Sequence, residues 1–214
     1  MTHAPTSLTL HGYFRSSASY RVRIALNLKG LTYDNVEVSL IAGEQRSDAY
    51  LEQNAQGFVP MLVADGQTII QSMAIIDWID RACPEPRLIP EEAMPRAVAL
   101  AQANVIACDI HPLNNLRVLK YLTKDLGLNE ETKNRWYRHW IVEGFDALEA
   151  MAGEGSFLGG DAPGIADICL VPQIYNARRF EVDLAPYPRL SAIEAACMEL
   201  EAFQRARPEA VKPG

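Results

Sequence analysis

The first eighty residues change hydrophobic period every ten or so positions, whereas the remainder keeps one period throughout. Leu8-Thr-Leu-His-Gly-Tyr13 is a short run of strand type, and Ser17 to Lys29 has helical composition closed by Gly30 as a C′ residue. Asp34-Asn-Val-Glu-Val-Ser-Leu40 alternates with period two, and the polar stretch from Ile41 to Asn54 carries a short helix. Phe58 to Ala64 and Thr68-Ile-Ile70 flank Asp65-Gly66, which predicts a hairpin. Ser72 to Ala82 returns to helical spacing, with Ser72 placed to cap it.

Pro84-Glu-Pro-Arg-Leu-Ile-Pro90 reads as an exposed connection, and beyond it the chain is Ala- and Leu-rich with few β-branched clusters. Helices are predicted near 94–122, 130–152, 164–178 and 190–204, and the Pro-punctuated tail from Arg207 to Gly214 is predicted to fray. The order β-α-β-α-β-β-α followed by helices alone predicts an α/β N-terminal domain of thioredoxin-like arrangement over 6–84. An all-α C-terminal domain follows over 90–208.

Composition narrows the partners. A hydrophobic fraction of 49% over 214 residues suffices for a packed core without metal or disulfide staples. A net charge of −7 with no long basic run argues against nucleic-acid binding, so any basic site is local. Cys83, Cys108, Cys169 and Cys197 contain no CxxC pair and show no ligand spacing with histidine, which reads as buried thiols in a reducing cytoplasm and no metal. No apolar run approaches the roughly 18–20 residues of a membrane span, and Met1 to Ser7 lacks the features of a signal peptide.

The candidate chemistry sits where elements begin. Pro60 stands inside a run that otherwise reads as a central strand, so it marks either an edge or bulge, or a cis peptide leaving the backbone of Val59 open to an extended ligand. Ser16 and Ser17 stand at the start of the first helix, as caps or as hydroxyl donors beside the positive end of the helix dipole, and Gln71-Ser72 repeats that arrangement later. Arg21 and Arg23 are two apart on a helix and point to different faces, so at least one is expected to pair with a carboxylate in the scaffold. In Cys108-Asp-Ile-His-Pro-Leu-Asn-Asn-Leu-Arg117, Pro112 is expected to kink a helix on which His111 and Asn115 share a face. Asn176-Ala-Arg-Arg-Phe180 offers Arg178 or Arg179 to a pocket or to solvent.

These residues resemble the zeta-class glutathione transferases, which include maleylacetoacetate isomerase and maleylpyruvate isomerase. The family motif, Ser-Ser-Cys followed by Arg-Val-Arg-Ile-Ala-Leu, stands here as Ser16-Ser17-Ala18-Ser19-Tyr20-Arg21-Val22-Arg23-Ile24-Ala25-Leu26. The likeness continues through Val59-Pro60, Gln71-Ser72, His111-Pro112-Leu113-Asn114-Asn115 and Ala166 to Gln173. It implies a glutathione transferase fold, glutathione as cofactor, a homodimer, and a small dicarboxylate substrate. By position it places Ser16 and Ser17 beside the glutathione sulfur as catalytic groups, Val59 before a cis Pro60 on the cysteinyl backbone, and Gln71 and Ser72 on the γ-glutamyl carboxylate. Gln45, His111 and Asn115 complete the glutathione pocket. Arg15, Arg117 and Arg179 are the candidates to bind the substrate's carboxylates.

Two positions depart from the pattern. Ala18 replaces the family cysteine, so the thiol must be the cofactor's own, and Gly164 stands where the family carries a Ser or Thr cap. The implied activity is glutathione-dependent cis–trans isomerisation of maleylacetoacetate to fumarylacetoacetate in aromatic amino-acid breakdown. Maleylpyruvate isomerisation, glutathione transfer or dehalogenation of small halo-acids, and a non-enzymatic interaction module are the alternatives.

Overall fold

Leu8, Leu10 and Gly12 of β1 (Leu8–Gly12) are buried while the residues between them are not, the period-two signature of a strand covered on one face. The computed structural model describes residues 5–213; the first four residues of the Met1–Ser7 segment and Gly214 lie outside the described residues. β1 pairs in parallel with β2 (Asp34–Glu37) and antiparallel with β3 (Met61–Ala64), which pairs antiparallel with β4 (Gln67–Ile70), giving the order β2-β1-β3-β4. Asp65 (φ 47°) and Gly66 (φ 80°) form the hairpin turn that Asp-Gly predicts. The carboxylate of Asp65 accepts hydrogen bonds from the amides of Thr6 and Ser7, tying the chain ahead of β1 to that turn. β2 stops at Glu37, short of the predicted Leu40, and is an exposed edge.

Two contact units divide the chain. One runs to Leu88 and is rejoined by the residues from Met198 onward; the other is Ile89–Cys197. In the first, α1 (Ser17–Leu28), the short α2 (Asp48–Leu51) and α3 (Ser72–Ala82) accompany the sheet. α9 (Glu201–Ala206) packs on α1, where the carbonyl of Ala206 accepts from Arg23 Nε at 2.9 Å and that of Ala202 from Asn27 Nδ2 at 2.9 Å. Lys29, buried after α1, donates to Asp80 Oδ1 of α3 at 2.7 Å, and the same oxygen accepts from the amide of Leu88 at 2.7 Å. The segment from Met198 therefore groups with the first unit, where the sequence reading had run the helical domain to 208. The tail is also not frayed: α10 (Pro208–Val211) forms, with Pro208 buried.

The second unit holds α4 (Ala93–Asn104), α5 (Leu116–Lys120), α6 (Glu130–Met151), α7 (Ile165–Arg179) and α8 (Pro188–Met198). α7 is apolar on nearly all sides and buried from Ile165 to Ile174. The helix expected over 94–122 is not continuous. It widens into a π-helical turn at Val105–Ile110, runs through a non-helical turn, restarts as α5, and widens again at Tyr121–Asp125. Pro112 has no N–H to continue the ladder, and the amide of His111 reaches the Ile106 carbonyl, five residues back, at 2.9 Å. His111 and Asn115 consequently do not share a helical face. The helix predicted near 190–204 is likewise two, with a break after Met198.

Candidate functional site

β1 and β3 are in register at His11 and Met61, so the loop that leads to Ser16 and the loop that ends at Pro60 leave the same end of the sheet. Ser16 (φ −68°, ψ 121°) is the N-cap of α1, its Oγ accepting from the Ser19 amide at 3.2 Å, and Ser17 is the buried first residue of the helix. No acidic residue occupies that first turn, so its positive end is not neutralised within the helix. Gly12 allows this approach: a Cβ there would lie 3.0 Å from Ser19 Oγ. Arg15 is exposed, its guanidinium 5.2 Å from the Phe14 ring centre and 5.9 Å from that of Tyr13. Beside it the Glu37 carboxylate accepts from the Phe14 amide at 3.3 Å, and burial pushes its pKa up.

The Val59–Pro60 peptide is cis. Sheet pairing begins only at Met61, which leaves the amide and carbonyl of Val59 outside the ladder. The loop is held one residue earlier, where the carbonyl of Phe58 accepts from Tyr50 Oη at 2.6 Å and Asn54 Nδ2 at 2.8 Å. Gly57 (φ 63°) lies so close to the Gln45 carbonyl, 3.0 Å from where a Cβ would stand, that a side chain would displace the 3-10 turn Glu44–Arg46. Gln45 Oε1, on that turn, is buried without a protein partner among the described residues.

Gln71, not Ser72, is the N-cap of α3, which corrects the capping expectation. Its backbone (φ 72°, ψ 117°) lies in a region costly for any residue with a Cβ. Its side-chain amide donates to Gln56 Oε1 at 2.6 Å rather than capping the helix. Ser72 is the buried first residue, and Arg21 NH1 donates to its Oγ at 3.4 Å. Arg21 and Arg23 are both buried, yet neither forms an ion pair among the described residues, against the expectation of a carboxylate partner. Arg23 donates to the carbonyls of Ala206 and Phe14, each at 2.9 Å, and burial brings its pKa down to about 10. Arg21 has only Ser72: its Nε and NH2 have no protein partner among the described residues.

In the second unit the turn between the π-helical segment and α5 is pinned to α6. Trp136 Nε1 donates to the Leu113 carbonyl at 3.0 Å and Asn114 Nδ2 to the Tyr137 carbonyl at 2.9 Å. His111 is half-buried there. Asn115 caps α5 by accepting from the Arg117 amide at 3.1 Å, and Arg117 is exposed. At the end of α7, Arg178 is bound by both carboxylate oxygens of Glu194, which raises its pKa, while Arg179 donates to Asn176 Oδ1 at 3.4 Å and lies over the Phe180 ring. Phe180 itself stacks on Tyr137 with ring centres 3.5 Å apart, so the backbone carrying Arg179 is fixed. A separate cavity of about 470 Å³, lined by Cys108, Asp109, Trp140 and Glu143 among others, contains none of the predicted residues. Cys108 is exposed and Cys83 half-buried, so only Cys169 and Cys197 are the buried thiols expected.

Family models of the glutathione S-transferase N-terminal and C-terminal domains match residues 6–81 and 132–196. A Vibrio cholerae protein named "Probable maleylacetoacetate isomerase" is 48% identical over 207 residues, 95% of this chain and 96% of its own. The holo structure of a maleylpyruvate isomerase, described as a bacterial zeta-class glutathione S-transferase, superposes with a TM-score of 0.94 at 46% identity, covering 96% and 99% of the two chains. This chain belongs to the zeta-class glutathione transferases. A further solved structure, maleylacetoacetate isomerase of Anaeromyxobacter dehalogenans with bound glutathione in its active site, is 41% identical with a TM-score of 0.87 over 96% of this chain and 97% of that one. Within this zeta-class transferase, reading the sequence missed two features of the N-terminal unit. The positive φ of Gln71 has no sequence signal, because glutamine is not a residue that favours it. The isolation of Arg21 depends on what fails to surround it, which spacing along one helix does not report.

Proposed function

We propose that the protein is a glutathione-dependent cis–trans isomerase of a small dicarboxylate with a conjugated cis double bond, maleylacetoacetate first and maleylpyruvate second. The observation that carries the reading is the N-terminus of α1. It offers Ser16 and Ser17 hydroxyls, an uncompensated helix dipole and Ala18 where a protein thiol would otherwise stand. Glutathione fits the residues present: Val59 lies outside the ladder for an extended peptide to pair with, and α3 begins at Ser72 with no acidic residue and no side-chain cap. Bound glutathione supplies the thiolate whose reversible addition allows the conjugated double bond to turn. The chain's own residues hold and activate it: Ser17 and the α1 amides lower the thiol pKa, Gln71 and Ser72 hold the γ-glutamyl carboxylate, Val59 orients the cysteinyl backbone, and Gln45, His111 and Asn115 complete the hold.

Arg15, Arg117 and Arg179 are proposed to bind the substrate's carboxylates, since guanidinium offers paired donors and Arg15 and Arg117 are exposed. Arg178 is excluded from that role by Glu194. The homodimer belongs to the same reading and is supported by Met94 and Val98, exposed apolar residues one turn apart on α4. Cytoplasmic residence is supported by the unpaired state of the cysteines, and no helix among the described residues is long and apolar enough to cross a membrane. Turnover of maleylacetoacetate and of maleylpyruvate, each with and without glutathione, tests the proposal. Glutathione-dependent formation of the trans isomer from either supports it, and turnover of a haloacetate alone would replace it with the dehalogenase reading.

A further inference from the structure

α1 carries two buried arginines two residues apart, and the protein treats them differently. Arg23 is 1% exposed and satisfied by two carbonyls. Arg21 is 2% exposed and its only hydrogen bond from the guanidinium among the described residues is to Ser72 Oγ. Nε and NH2 of Arg21 are sealed from solvent and have no protein acceptor among the described residues. A buried guanidinium whose N–H groups meet no acceptor is costly, and Arg21, unlike Arg23, is such a case among the described residues; a counter-charge reaching it would offset that cost. The one group it does touch stands at the N-terminus of an eleven-residue helix whose first turn holds no acid and whose cap residue makes no side-chain bond to it. Positive charge, helix dipole and hydroxyl converge on that point, and among the described residues no acid stands in the helix's first turn and none accepts from Arg21.

We propose that Arg21 is the positioning residue of the γ-glutamyl carboxylate subsite, acting through Ser72; the inference rests on the glutathione reading above. Because NH1 of Arg21 donates to Ser72 Oγ, the hydroxyl proton of Ser72 is directed away from Arg21 and is left to donate to an anion. The relay polarises the hydroxyl, and the buried charge behind it favours a carboxylate over a neutral group in the same place. Arg21 thereby sets selectivity for the charged end of the cofactor without touching its sulfur.

Calorimetric titration reads this directly, with glutathione and with an analogue lacking the γ-glutamyl α-carboxylate (4-aminobutyryl-Cys-Gly). Arg21→Gln is expected to weaken glutathione about 10- to 100-fold, the range of a charge-assisted hydrogen bond, and the analogue by less than about threefold. Arg21→Lys, which keeps the charge but not the planar fork, is expected to fall between wild type and Arg21→Gln for glutathione and to leave the analogue unchanged. If Arg21→Gln does not fold, that same ratio is read on Arg21→Lys. Equal weakening of both ligands, or of neither, overturns the role of Arg21 while leaving the glutathione reading intact. Wild-type protein that binds no glutathione overturns both.

Discussion

At the scale of single residues, Ser16 and Ser17 are adjacent but differently employed. Ser16 Oγ is engaged as the cap of α1, so Ser16→Ala is expected to cost about 1 kcal/mol, read as a fall of roughly 2–4 °C in Tm for a chain of this length. Ser17 is not the cap, and Ser17→Ala is expected to raise the pH at which bound glutathione ionises, followed by thiolate absorbance; an unchanged midpoint would remove Ser17 from thiol activation. The cysteines separate in the same way. Burial, with Asp167 and Glu194 nearby, pushes the Cys197 thiol far up, whereas Cys108 is exposed, so a thiol reagent should label Cys108 quickly and Cys197 only on unfolding. Peptide mapping after brief labelling decides this, and comparable rates at the two sites would contradict it. Much of the candidate site is legible as local structure because it is written in adjacent residues: Ser16-Ser17, Val59-Pro60 and Gln71-Ser72 each mark the start of an element or its edge. What could not be read was pairing across the fold. Which arginine of α7 would be taken by Glu194, and which of α1 would be left without an acceptor, depend on side chains 16 and 51 residues away.

At the scale of elements, the strands and first helices follow from local pattern because each has one buried face and a definite stop, as Gly30 (φ 65°) ends α1. The predicted helix over 94–122 failed for the opposite reason. Its composition is helical throughout, and only Pro112, the Asn115 cap and the packing of Ile110 against Gly144 show where it must open. A Cβ at Gly144 would overlap the Ile110 side chain, so Gly144→Val is expected to destabilise the helical unit by about 1–3 kcal/mol and to disturb the turn that carries His111. Urea unfolding measures the first effect. The Lys29–Asp80 pair shows the same sensitivity in the other unit. Asp80→Ala would leave a buried ammonium unpaired and the Leu88 amide unsatisfied, and is expected to cost about 3–5 kcal/mol, against near-neutrality for the exposed pair Asp77–Arg81.

At the scale of the whole molecule, pH acts on stability through Asp167. This carboxylate is buried at the start of α7, accepting from the amides of Leu158 at 2.8 Å and Gly164 at 2.9 Å, and burial raises its pKa despite those bonds. Gly164 has no side chain with which to return the bond, so only half of a capping box forms. An acid whose folded pKa is raised holds its proton more tightly in the native state than in the unfolded chain. The stability it lends is therefore complete below the ordinary carboxylate value of about 3.9 and is lost as pH rises from there through the folded value. Denaturation curves of wild type and Asp167→Asn should accordingly diverge as pH falls toward 4, with wild type gaining relative to the variant. A constant difference across that window would show that Asp167 does not titrate with unfolding. The grouping of Met198 onward with the first unit carries a different consequence, one of timing. During synthesis the residues that cover α1 and accept from Arg23 and Asn27 leave the ribosome only after Ile89–Cys197. The first unit, although its sheet is translated early, therefore cannot close until the helical unit that follows it in the chain has been made.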